Sequence, residues 1–236
     1  MTDIVKVSPA MIGTIEVFRQ LSQQQRESLS PLLKARKYLA NEHIISRGDD
    51  SKDVFFIVSG MVRVTSYTAG GKEVSFRDMS AGQMFGELSA IDGQSRSADV
   101  LALTESVLVV TPPDTFMRIL RDYPDVTELI LRQLTRLVRS LGDRVIEFSA
   151  LSVKSRIHAE ILRLAKKNIL DDNSAEIVPA PTHLDIANRI STHREAVSRE
   201  FSELSRSGIL QRADGKLIIY DMARLEGLLD EVKSGP

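Results

Sequence analysis

The sequence predicts an α+β chain in three successive parts: a closed all-β unit behind a short helical start, one long amphipathic helix, and a helical C-terminal module that ends in a β-hairpin. Three observations predict it. Between Tyr38 and Val110 short apolar runs alternate with turn residues at roughly 8–12-residue intervals, the mark of a closed β structure. From Pro124 to Ala150 apolar residues return at helical spacing without interruption. Near the end, Asp214-Gly215 separates two apolar runs, the strongest short signal for a hairpin.

With 236 residues the chain can build two domains, each with its own core. Its formal charge is −1, from 31 Lys plus Arg against 32 Asp plus Glu, so no global field favours nucleic acid or an anionic membrane, and any basic surface must be local. The chain has no cysteine, which removes disulfides, thiolate metal sites, Cys-ligated clusters and Cys nucleophiles together. The N-terminus carries no basic segment followed by an apolar run, and no stretch approaches the ~18 apolar residues of a membrane span. A cytoplasmic protein is expected.

Residues 9–35 are expected to be helical in two pieces, with Phe18, Leu21, Leu29, Leu32 and Leu33 as the apolar stripe and Ser22 with Gln25 capping the second piece. The strands follow: Ile44-Ile45, Val54 to Val58, Met61 to Tyr67, Val74 to Phe76 and Val107 to Val110. Between them stand the turns Arg47 to Asp50, Ser59-Gly60, Ala69 to Lys72 and Ala81-Gly82. His43 is the one histidine of this region and is expected at the surface near a strand start. A metal-dependent barrel enzyme, which needs two or three inward histidines with a carboxylate, is the remote alternative. No Ser-His-Asp grouping can be assembled here either, so no catalytic residue is assigned and no metal ligand is nominated.

The stretch Met84 to Val100 reads as a phosphate cradle. Gly86, lacking a Cβ, lets the backbone come close to a ligand, and Glu87 to Ile91 have the composition of a short helical turn whose free N–H groups face an anion. Arg96-Ser97-Ala98 returns a planar cation and a hydroxyl to the same place. Glu87 would repel a phosphate and is better suited to accept from a sugar hydroxyl. A 3′,5′-cyclic nucleotide offers one negative charge beside a free ribose 2′-OH. The alternative is a Glu87–Arg96 ion pair tying a hairpin together without a ligand.

The long helix Pro124–Ala150 carries Val126, Ile130, Leu134, Leu137, Leu141, Val145 and Phe148 in one seam, longer than a small barrel can cover. Either a second copy covers it or the chain's own barrel does. Phe148 to Ser152 breaks the seam and is expected to be a hinge. Ser152 is expected to cap a helix carrying Val153, Ile157, Ile161, Leu162 and Leu164. Asn168 to Ser174 reads as a polar loop and Glu176 to Pro181 as a short edge strand. Thr182 to Ile190 has a capping-box start, Ala187 allows a close helix crossing, and Ser191-Thr192 forms the turn. Thr192 to Glu195 reads as a second capping box, opening a helix with Val197, Phe201 and Leu204 inward and Arg194, Glu195, Ser198 and Arg199 outward. This is helix-turn-helix geometry with exposed side chains in the first turns, where a recognition helix meets base edges. From Arg156 onward there are 12 basic and 13 acidic residues. Phosphate contacts must therefore come from placed groups, with His193, Lys216 and the helix N-termini as candidates.

The spacing Phe85-Gly86-Glu87-Leu88 followed by Arg96-Ser97-Ala98, together with Arg194-Glu195 and Arg199, resembles the CRP/FNR (cyclic-AMP receptor protein) family over roughly Phe18 to Leu229. The resemblance implies a cyclic-nucleotide-binding β jelly roll over 1–123, a dimerisation helix and hinge over 124–151, and a winged helix-turn-helix over 152–236. It implies that Glu87 holds the ribose, Arg96 and Ser97 the cyclic phosphate, and that Gly86, Leu88 and Ala98 complete the cassette. Leu141 and Gly142 stand where family members that bind cyclic AMP place small hydroxyl residues against the purine, a departure that bears on the base selected and not on the ribose or phosphate; cyclic AMP is the first expectation, and the same DNA module under cyclic GMP or without a ligand is the alternative. No prosthetic cofactor is expected. Arg194 and Arg199 are expected to read guanine and Glu195 cytosine in a palindromic TGTGA-type site, with Ser198 beside them. Self-association through Leu134, Leu137, Leu141 and Val145, double-stranded DNA and RNA polymerase complete the implied partners. Ser191 stands where the family's tight turn often has glycine.

Overall fold

The computed structural model describes residues 4–67, 73–166, 168–170 and 173–233. They form two compact units: the first takes 4–67 and 75–138, the second 139–233 with 73–74.

The first unit opens with β1 (Ile4–Lys6), α1 (Pro9–Thr14) and α2 (Gln23–Leu29). Ser22 and Gln25 form the capping box expected of them, each side chain bonding the other's backbone. Among the described residues this part of the chain has nine β-strands: after β1 come β2 (Lys34–Tyr38), β3 (His43–Ile45), β4 (Val54–Ser59), β5 (Met61–Tyr67), β6 (Glu73–Ser80), β7 (Met84–Phe85), β8 (Asp99–Ala102) and β9 (Ser106–Thr111). They make two sheets, β1-β2-β9-β4-β7 and β3-β8-β5-β6, interrupted by α3 (Glu87–Asp92) between β7 and β8.

The five-stranded sheet is buried on both faces, which is why Val54 to Ile57 reads as an unbroken apolar run. Alternation along the strand assigns the faces. Phe55 and Ile57 join Ile45, Val62, Phe85, Val100 and Leu108 between the sheets, while Val54 and Phe56 join Phe18, Phe116 and Ile119 under the helices. α4 (Pro113–Asp122) supplies Phe116 and Ile119 to that second layer. Two expectations fail here. Leu32 is 41 % exposed, and β2 begins at Lys34 inside the stretch expected to be helical, because Ala35 is needed in the sheet opposite Val109. The Ala69 to Lys72 turn lies outside the described residues.

α5 runs Pro124–Ala150, as its periodicity predicts, and is shared between the units at Val138/Arg139. Its seam divides. Val126 and Ile130 are buried in the first unit's core and Leu134 packs against it. Beyond that, Leu141 and Val145, which belong to the second unit, are exposed.

The second unit continues with α6 (Val153–Ala165), β10 (Ala175–Ile177), α7 (His183–Arg189), α8 (Arg194–Arg206), β11 (Leu210–Ala213), β12 (Lys216–Ile219) and α9 (Met222–Lys233). Ser152 accepts from the Ser155 amide as the cap of α6, and Thr182 with Asp185 forms the capping box of α7. Strand β10 is an edge strand in the order β10-β12-β11, and the β11–β12 hairpin turns on Asp214 and Gly215, both at positive φ. Part of the Asn168 to Ser174 loop lies outside the described residues. The core joins Ile157 and Ile161 of α6, Ala187 of α7, Val197, Phe201 and Leu204 of α8, and Leu217 and Ile219 of the hairpin.

One capping assignment is corrected. α8 begins at Arg194 with His193 as its N-cap and no side-chain cap bond. Thr192 is instead drawn into the turn, buried, with its amide donating to the Ala187 carbonyl at 3.0 Å.

Candidate functional site

In the first unit the Met84 to Val100 stretch leaves the sheet at Phe85, which pairs with Phe55 in register and stacks on it with ring centroids 5.0 Å apart. Gly86 then takes φ +82, and α3 starts at Glu87 and ends at Gly93, φ +74. Arg96 returns beside the Arg47 to Asp50 turn: its amide donates to the Asp49 carbonyl and its carbonyl accepts from the Gly48 amide, both at 2.9 Å.

The Arg96 side chain is 3 % exposed. Its Nε donates to Ser51 Oγ (3.1 Å), Nη1 to the Gly86 carbonyl (2.9 Å) and Nη2 to the Asp53 carbonyl (2.7 Å), and the guanidinium lies 5.9 Å over the Phe55 ring. These are its protein partners in place of the Glu87 pairing considered from sequence. Gly86 is required by this packing. A Cβ there would stand 2.9 Å from both Arg96 Nη1 and the Asp53 carbonyl, so the space left by the missing side chain is taken by the guanidinium and its acceptor. Only glycine meets both the positive φ and the close approach.

Glu87 is buried, 6 % exposed, next to that glycine. Burial pushes its carboxyl above the ordinary glutamate range; its own backbone amide, Arg77 and Arg96 pull the other way. Arg96 is lowered by burial, against the attraction of Asp53, Asp49 and Glu87. Leu88 and Ser97 are exposed and Ala98 is half-buried. The cassette thus keeps one carboxylate and one guanidinium inside and its hydroxyl at the surface. His43 is exposed at the head of β3. On α5, Leu141 is exposed and Gly142 has open space where a Cβ would stand; both belong to the second unit.

In the second unit α8 presents His193, Arg194, Glu195 and Arg199 as exposed residues and Ser198 as half-buried, with Val197, Phe201 and Leu204 in the core. The turn before it is made by Ser191 at φ +53, the left-handed conformation for which glycine is the ordinary choice. Lys216 is not a free cation: its Nζ lies 2.9 Å from Glu176 Oε2 across the β10–β12 pair, and that bond raises its pKa.

The sequence reading missed the residues that hold α8 in place. His158 of α6, 1 % exposed, shares a 2.6 Å hydrogen bond with Glu200 of α8, and Lys154 stands 3.7 Å from the same carboxylate and 3.0 Å from Glu203. Glu160, also on α6, is 1 % exposed and meets Arg144, Arg163 and Arg189. The available signal was a histidine and a glutamate set among Ile157, Ile161 and Leu162. Ser51 and Asp53, which orient Arg96, gave none beyond their place in a turn.

A family model described as the cyclic nucleotide-binding domain matches residues 35–123, and one described as a Crp-like helix-turn-helix domain matches residues 155–228. The chain is 23 % identical over 210 residues to the CRP-like cAMP-activated global transcriptional regulator of Mycobacterium tuberculosis, covering 89 % of this chain and 94 % of that protein. Among solved structures, a CooA mutant from Carboxydothermus hydrogenoformans has a TM-score of 0.79 at 18 % identity over 92 % of this chain and 96 % of that one. The c-di-GMP-responsive global regulator CLP of Xanthomonas campestris has a TM-score of 0.69 at 17 % identity over 80 % of this chain and 95 % of that one. At these identities the structural matches carry the fold alone.

Proposed function

The chain belongs to the CRP/FNR family of transcription regulators, and on that premise we propose that it is a homodimeric DNA-binding regulator controlled by a cyclic nucleotide, with cyclic AMP the first candidate. The observation that carries the sensor half is the burial of Glu87 and Arg96 in one glycine-turned cassette. Buried ionisable groups cost stability and collect at binding sites as well as in structural ion-pair networks, and here they stand beside a glycine turn that opens a helix. Three of the five Arg96 N–H donors are committed to Ser51, Gly86 and Asp53, which fixes the plane of the guanidinium. The remaining hydrogens on Nη1 and Nη2 are then available for a cyclic phosphate, with Ser97 adding its hydroxyl from the surface, while the Glu87 carboxylate accepts from the ribose 2′-OH. Gly86, Leu88 and Ala98 shape the backbone around them, and base selection is assigned on the resemblance to Leu141 and Gly142.

The output half rests on the exposed first turns of α8. Arg194 and Arg199 suit guanine O6 and N7, and Glu195 suits cytosine N4, in a TGTGA-type half-site, with Ser198 beside them and His193 at the helix start. Two recognition helices a DNA turn apart need two copies. One face of α5 offers them a seam: exposed Leu131, Val138, Leu141, Val145 and Phe148, with half-buried Leu134 between, follow the alternating three- and four-residue steps of a coiled coil. RNA polymerase is the further partner that the family membership suggests.

A second reading keeps the DNA module and drops the ligand. It is favoured by the same three bonds, since a guanidinium already satisfied by Ser51, Gly86 and Asp53 has no need of a phosphate. Calorimetric titration with cyclic AMP, cyclic GMP and c-di-GMP separates the readings. Micromolar binding of one monomeric cyclic nucleotide, lost in Arg96→Ala, is the expected result; heat from none of them removes the sensor role. Titrating a palindromic TGTGA duplex with and without that nucleotide then reads the coupling between the sites. Equal affinity in both cases leaves a DNA-binding protein without nucleotide control.

A further inference from the structure

The buried polar cluster of the second unit has no place in either binding surface, and its geometry has one direction. Glu160 accepts from Arg144 of α5 at 3.2 Å, from Arg163 of its own helix, and lies 3.7 Å from Arg189, the last residue of α7. Arg144 also donates to the backbone carbonyl of Arg189, and Arg156 of α6 donates to the next carbonyl, Ile190, at 3.0 Å. Those carbonyls stand at the C-terminal end of α7, where a helix has no intrahelical donors to offer, and they lead directly into the Ser191 turn before the recognition helix. Arg163 reaches back to both oxygens of Glu147 on α5, at 2.7 and 2.6 Å, and the guanidinium groups of Arg144 and Arg156 lie over the Phe148 ring at 5.7 and 5.3 Å. Every one of these residues lies in the second unit.

We infer that Glu160 is a positioning residue for DNA recognition: through Arg144 and Arg189 it clamps the last turns of α5 onto the turn that presents α8. Glu160 is a single buried acceptor reached by guanidinium groups from three helices, and one of them, Arg144, also holds the backbone carbonyl of another, Arg189. A carboxylate sealed this way costs stability unless its partners stay in register, so α5 beyond Arg144 and the helix-turn-helix hold one arrangement together. The clamp holds α5 from Arg144 onward, and the residues N-terminal to it are outside its reach. Gly142, exposed and interior to the helix, is the weakest residue there for helix formation.

The inference rests on the DNA-binding reading for its functional arm, and the test separates the two. Hydrogen exchange over residues 143–150 is measured on the full-length protein as wild type, Glu160→Gln, Arg144→Met and Arg144→Lys, beside calorimetry with cyclic AMP and titration of a TGTGA duplex. The expected result is exchange over 143–150 at least tenfold faster in Glu160→Gln and Arg144→Met, with α8 still protected and nucleotide affinity unchanged. DNA affinity falls at least tenfold in the same two variants, and Arg144→Lys, which keeps a charged donor, recovers part of both effects. Unchanged exchange over 143–150 overturns the clamp, as does an increase spread evenly over α6, α7 and α8. Faster exchange with full DNA affinity overturns the positioning role. A wild type that binds no duplex removes the proposed function instead, and the exchange arm then decides the clamp by itself.

Discussion

Glu87 shows what burial does to a ligand-binding carboxylate before the ligand arrives. Its pKa stands above the ordinary 4.5, chiefly through desolvation, so the folded protein holds this proton more tightly than the unfolded chain. The stability linked to it is complete below pH ~4.5 and is lost as pH rises through the raised value. Glu87→Gln, which cannot ionise, is therefore expected to melt higher than wild type at neutral pH and to lack that part of the pH dependence, in thermal scans from pH 4 to 8. A ribose hydroxyl donating to the carboxylate favours its charged form. Nucleotide affinity should thus rise with pH across the same window, with proton release visible in buffers of different ionisation enthalpy; a pH-independent affinity removes Glu87 from the ribose. Two backbone positions give opposite signs. Gly86→Ala forces a Cβ onto Arg96 and the Asp53 carbonyl at φ +82 and should cost at least about 1–2 kcal/mol in urea unfolding. Ser191→Gly relieves a left-handed serine at φ +53 and should add about 0.5–1 kcal/mol, and a loss would mean that the Ser191 side chain supports the turn.

Among the elements, α8 and the β11–β12 hairpin hold their positions through partners far away in sequence. The His158–Glu200 bond fixes α8 against α6 in a site with little water to replace it. Truncating Glu200 to Ala leaves the His158 Nε2 without that partner, for an expected loss of about 1–3 kcal/mol in the same unfolding assay. In the hairpin, Lys216 spends its charge on Glu176. A solvent-exposed pair of this kind is weak, so a DNA phosphate can compete for the lysine. Glu176→Gln should then tighten DNA binding and steepen the dependence of log K on log salt by about one. An unchanged slope takes Lys216 off the phosphate-contact list.

At the scale of the whole molecule the question is what covers α5. Val138, Leu141 and Val145 are 69 %, 47 % and 65 % exposed on the single chain, in a heptad register that a second α5 would match. Val138→Glu and Val145→Glu place like charges at facing positions of such a seam. Each should convert a dimer to a monomer in sedimentation equilibrium at micromolar concentration, with the folded CD spectrum retained, and a wild type that sediments as a monomer ends the dimer reading.

Taken alone, the sequence determined those features whose signal lies within a turn or two of chain. The limits of α5 at Pro124 and Ala150, the capping boxes at Ser22 and Thr182, the Asp214-Gly215 hairpin and the inward set Val197, Phe201 and Leu204 are all of this kind, because periodicity, caps and positive-φ turns are written by neighbours. The cassette was legible as a motif for the same reason. Only the tertiary structure decided who meets whom across the fold: Ser51, Asp53 and Gly86 around Arg96, Glu176 on Lys216, His158 on Glu200, and three arginines on Glu160. It also split the apolar stripe of α5, burying Val126 and Ile130 and leaving Val145 in the open. All of these but Arg163 on Glu160 join residues ten or more positions apart, and the chain makes them only after its strands and helices have packed, so no local pattern can announce them.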